Sequence, residues 1–205
     1  MRDLDRALEE ISAIRCQMAR GVQFRGYGPR TLMTTGLIAF AAAGGQGIWM
    51  KAPTENPVGY IALWFAIAAA CATIIGFEMI TRSRRVHSGL AEEMIQAAIE
   101  QFLPAAAAGI LLTGVLMRTA PETLWMLPGL WQVIFSLGLF ASLRSFPRPM
   151  AAVGLWYLAT GLACLAFANG AAAFSPWAMG VPFGIGQLLF AAVFHHAVGV
   201  ADEQR

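Results

Sequence analysis

Six apolar runs follow one another along this chain, and that repetition limits the possible fold more than any single motif does. A helix needs about 20 apolar residues to cross the ~30 Å of hydrocarbon in a bilayer. Runs of that order cover residues 31–50, 58–80, 123–143, 150–168 and 176–198. The remaining run, 102–117, is short. A helix reaching from Ser88 to the end of that run would be ~45 Å long, more than a bilayer spans. A cytoplasmic helical extension from residue 88 is therefore expected to feed the third span, with Pro104 at a kink or a fresh helix start.

Composition agrees. Hydrophobic residues make up 58% of the 205 residues and charged residues 13%, whereas a soluble domain carries about 25% charged residues. No soluble core of this size hides so much apolar surface. The net charge of +2 gives no argument for nucleic acid. Cys16, Cys71 and Cys164 stand far apart with no C-x-x-C spacing, so neither a disulfide framework nor a thiolate metal site is indicated. Residues 2–20 mix acids with arginines where a cleavable signal would be apolar, so the first span is expected to act as an uncleaved insertion signal.

These features predict an all-α membrane protein of six transmembrane helices in three antiparallel hairpins. Residues 1–30 form a cytoplasmic amphipathic helix and linker, 31–198 the membrane domain and 199–205 a short cytoplasmic tail. In the N-terminal helix Leu4, Leu8, Ile11 and Met18 share one stripe, with acids crowding its start and arginines its end. Glu92 and Glu93 lie on the polar side of the extension before span three. These six residues are the candidates for docking a partner. Short Pro- or Gly-bearing loops make consecutive helices antiparallel neighbours.

Orientation follows from the basic residues. With the N-terminus in the cytoplasm, twelve of the 14 Lys and Arg residues lie inside, and only Lys51 and Arg118 outside. Trp49, Tyr60, Trp125 and Trp177 then fall at the outer interface, as an aromatic belt does. The expected place is a bacterial inner membrane, multi-pass, with both termini cytoplasmic.

Few residues carry chemistry. Glu78 is the one acid set well inside an apolar run, which marks it for gating or for proton or solute contact. Arg82, four residues on, offers it an ordinary helical ion pair instead. Gln132 and Gln187 sit inside spans, where an uncharged polar group either bonds to another helix or faces a solute. His195 ends the last span beside His196; with His87 these are weak metal candidates, because no H-x-x-x-H or H-E-x-x-H spacing supports them. No catalytic or phosphate-binding motif is present, so neither an enzyme nor a cofactor is expected. Spans four and six echo each other, Gly129, Gln132 and Phe135 against Gly184, Gln187 and Phe190. Extending that offset sets Phe140 against His195. Matching Arg82 to Arg144 then brings Glu78 to the same depth, near the cytoplasmic mouth.

The runs His87 to Glu92, Gln101 to Pro104, Leu127 to Trp131 and Ser175 to Gly180 resemble those of a family of small six-helix bacterial inner-membrane proteins. That resemblance covers most of the chain and implies no activity. In topology, three hairpins with an acid ending span two are similar to the acetate permeases and acid-gated urea channels. That likeness implies a hexameric small-solute conductor, although Gly26 to Pro29 stands where acetate permeases carry an Asn-Pro-type motif. Two functions follow as expectations: a small-solute or ion channel, or a non-transporting membrane partner that docks a soluble protein through its cytoplasmic helices. The lipid bilayer is the expected environment, with a homo-oligomer and a soluble cytoplasmic partner both compatible with these features.

Overall fold

The structure, a computed structural model, describes residues 28–86, 91–143, 146–147 and 149–203. Leu4, Leu8, Ile11, Met18 and His87 lie outside the described residues. Six helices are present among them: α1 (Pro29–Trp49), α2 (Pro57–Val86), α3 (Ala91–Thr119), α4 (Leu127–Ala141), α5 (Met150–Phe167) and α6 (Pro176–Glu203). No strand occurs among the described residues.

Proline sets most of the starts. Pro29, Pro57 and Pro176 open their helices, where a missing N–H costs nothing. Span four was expected as one run from 123, but it divides into a 3-10 turn, Pro121–Met126, followed by α4. Pro128 has no N–H to give to Leu124, and the Leu127 amide bonds there instead, so the helix restarts. Pro104, by contrast, lies inside the continuous helix α3. Helix α6 runs past the expected span end to Glu203, taking in most of the predicted tail.

Five segments are long and apolar enough to cross a membrane: Pro57–Thr81, Ile99–Thr119, Pro121–Ala141, Met150–Phe167 and Gly170–His196. This is the make-up of a multi-pass membrane protein. Helix α1 is ~31 Å long but is not one of the five. Thr34, Thr35, Gln46 and its glycines dilute its apolar character, and Thr35, Gly36 and Gln46 are buried.

Each helix touches its neighbours in the chain, and α1 packs on α6, closing the bundle into a ring. The two closest pairs are α1 with α6 and α4 with α5, both between the expected hairpins rather than within them. Glycines cause this. A Cβ on Gly36 would lie 3.0 Å from the Gly184 carbonyl, and one on Gly161 would lie 2.9 Å from that of Gly129. Backbones approach this closely only where side chains are absent.

Helices α2 and α3 are peripheral. Only 17% of the α2 span and 6% of the α3 span is buried, against 50% for the segment containing α6. Inside the ring, Phe135 packs edge-on against Tyr157 at 4.7 Å, Phe102 at 5.3 Å and Phe183 at 5.6 Å between ring centres. Tyr60, one of the residues expected at the outer interface, is fully buried against Phe174 and Trp64.

Candidate functional site

At the end of the bundle where α1 begins, Glu78 reaches the start of that helix. The carboxylate oxygen Oε1 lies 2.6 Å from the point a Cβ on Gly28 would occupy. Gly28 is the extended N-cap of α1, and it has no side chain with which to cap the helix. The first turn of a helix presents free N–H groups and the positive end of its dipole, where a carboxylate is favoured by about 0.3–1 kcal/mol. Glycine at 28 is thus the residue that admits the acid. Glu78 is half-buried, and Phe77 beside it is exposed.

His195 lies at this level too. Gly47 sits over Pro176, Gly180 meets Ala43, and Gly36 meets Gly184 and Gln187. Continuing that antiparallel register brings Gly28 level with His195. His195 and His196 are both exposed, their ring centres 6.1 Å apart. Among the described residues, no group of three or more His, Cys, Asp or Glu side chains converges on a point.

The two glutamines, expected either to bond to another helix or to face a solute, bond between helices. Gln187 Oε1 accepts from the Thr35 hydroxyl at 3.4 Å, joining α6 to α1. Gln132 is completely buried, and its Nε2 donates to the Pro128 carbonyl at 3.0 Å and to the Ala178 carbonyl at 2.9 Å. The second bond has a specific cause. Pro182 lies inside α6 and has no N–H to return to Ala178. The Gln132 amide fills that vacancy from the neighbouring helix. One turn further along, the Trp156 indole donates to the Pro182 carbonyl at 2.9 Å. Side chains of α4 and α5 therefore hold α6 on both sides of its proline.

The spatial register differs from the sequence echo. Gln132 lies beside Ala178, and Phe135 beside Phe183, so Gln187 is roughly two helical turns deeper than Gln132. The two glutamines match in sequence but not in depth.

Gln46 escaped the sequence reading. Its Nε2 donates to the Phe174 carbonyl at 3.0 Å, and its Oε1 accepts from the Trp64 indole at 2.9 Å. One side chain thereby ties α1, α2 and the approach to α6. The argument that singled out Gln132 and Gln187, an uncharged polar group inside an apolar helix, applies equally to it. Of the docking candidates, Glu92 and Glu93 fall in the first turn of α3. Further along that extension, Gln96 donates to Glu100 at 2.9 Å.

Comparison with family models, curated proteins and solved structures found no match.

Proposed function

We propose that this protein is a six-span, non-enzymatic inner-membrane subunit that does not itself conduct a solute. In this reading it docks a soluble cytoplasmic partner through the N-terminal helix and the elbow between α2 and α3. The observation that carries it is where the polar groups go. Gln46, Gln132 and Gln187 are engaged in bonds between helices, and aromatic rings occupy the interior between them. The two most peripheral helices lead instead into Arg82, Arg84, Arg85, Glu92 and Glu93.

Helix α1 counts as the sixth span on its length and its seat against α6. The arginine asymmetry supports cytoplasmic termini. Exposed Trp49 and Trp177, at the same end of the α1–α6 pair, suit the opposite interface. The test is co-purification from the native membrane with and without residues 1–20. A partner that binds the full chain and is lost from the shortened one supports the proposal. A full-length chain that retains no partner overturns it.

A second reading keeps the small-solute channel, favoured by Glu78 lying level with His195 at the inner end. Flux into proteoliposomes that falls in Glu78→Gln and Gln132→Leu, with both variants folded, would favour it over the first.

A further inference from the structure

In the middle of α6 the sequence runs Gly180-Val-Pro182-Phe-Gly184-Ile-Gly186. Pro182 removes one rung of the helix ladder, and glycine is a poor helix former. Such a segment offers little resistance of its own to bending. Side chains from three other helices supply what it lacks. Gln132 of α4 donates to the Ala178 carbonyl and Trp156 of α5 to the Pro182 carbonyl, each at 2.9 Å. On α1, Ala43 and Phe40 fill the places that a Cβ would take on Gly180 and Gly184. On α5 the Tyr157 ring fills that place on Gly186.

The packing divides at the same level. Buried apolar residues form two clusters, one around Leu32, Leu139 and Val153, the other around Ala43, Trp64 and Leu127. Helix α6 sends Phe190 and Phe194 into the first and Met179 into the second. Among the described residues, Phe183 alone packs against both, and it adjoins Pro182.

One group beside this turn is unsatisfied. Tyr157 is 0% exposed, and its hydroxyl, held against Gly186, has no hydrogen-bond partner. In a helix the Gly186 amide points at the Pro182 carbonyl. Trp156 and Tyr157, consecutive on α5, therefore flank one acceptor, and only Trp156 is bonded to it. The arrangement that makes both clamp bonds leaves a buried donor unpaired, which raises its free energy.

We propose that α6 is hinged at Pro182 and moves between this clamped arrangement and a released one. On release the segment from Pro176 to Val181 swings against the rest of α6, carrying Met179 and its cluster relative to Phe190 and Phe194. The Gln132–Ala178 bond breaks, and the Pro182 carbonyl passes from the Trp156 indole to the Tyr157 hydroxyl as Gly186 withdraws. The hinge stands whether or not a partner docks at the elbow between α2 and α3.

Fluorine NMR of the full chain, labelled with 5-fluorotryptophan and held in lipid nanodiscs, tests this. The Trp156 resonance, assigned with Trp156→Phe, is expected to show microsecond-to-millisecond exchange with a minor released state. Gln132→Leu should raise the minor population about two- to tenfold, because it removes a bond made only in the clamped state. Tyr157→Phe should lower it by a like factor, because it removes the bond gained on release. Pro182→Ala, which restores the missing rung, should lower it too. These opposite signs support the hinge. A Trp156 resonance free of exchange in the unsubstituted chain overturns it, as does a minor population that Tyr157→Phe does not reduce. If Gln132→Leu fails to fold, those two measurements still decide.

Discussion

Replacing Gln132 by leucine strands the Ala178 carbonyl, because Pro182 leaves it no donor within its own helix. A cost of about 1–3 kcal/mol is expected, read as a lower unfolding midpoint. Pro182→Ala restores the missing N–H, so Gln132→Leu should cost less in that background than alone. A double-mutant cycle checks this, and equal costs in both backgrounds would remove the vacancy argument. At the start of α1, Gly28→Val puts a branched side chain where the Glu78 carboxylate now rests. The acid must swing away from the start of α1, with a loss of up to about 1 kcal/mol that is absent when Glu78→Gln is already present. Both side chains were conspicuous in the sequence because polar groups are rare in apolar helices. Their partners were not, since Ala178 and Gly28 contribute backbone geometry that residue type alone does not display.

The helices divide into a glycine-seamed set and an open set, and substitution of glycine by alanine should sort them. A Cβ on Gly161 meets the backbone of Gly129, and one on Gly186 runs into the Tyr157 ring. Alanine at either position should cost about 1–3 kcal/mol through overpacking. A Cβ on Gly76 of α2 or Gly114 of α3 meets nothing within 4 Å. Alanine there should be neutral or stabilising by up to ~1 kcal/mol through helix propensity. Unfolding midpoints of the four variants in detergent test the division. Helix existence and most starts were legible in the sequence, because proline at 29, 57, 121 and 176 can open an element but not continue one. Pro128 deserved the same weight, and reading through it joined the 3-10 turn to α4. The partnering of helices was not legible. Small residues line α1, α2, α4, α5 and α6 alike, and only the three-dimensional register shows which seams are used.

For the whole molecule, the decisive quantity is the number of crossings. Five segments meet the length and apolarity of a span, and α1 supplies a sixth only if its buried Thr35 and Gln46 are carried across by their bonds to α6, α2 and Phe174. Reporter fusions at the two ends distinguish the cases. Both reporters on the cytoplasmic face fit six crossings, whereas opposite faces fit five. The low burial of α2 and α3 predicts that lipid-soluble photolabels mark those two helices more heavily than α6.

Because the first helix rests against the last, the ring stays open until the C-terminal segment has left the ribosome. At roughly 5–20 residues per second, α1 waits on the order of ten seconds for its mate. Through that interval the Gln46 amide has no Phe174 carbonyl to hold, and the Thr35 hydroxyl has no Gln187. Nascent chains of this protein therefore pass through a stage in which α1 carries polar side chains whose partners have not yet been made.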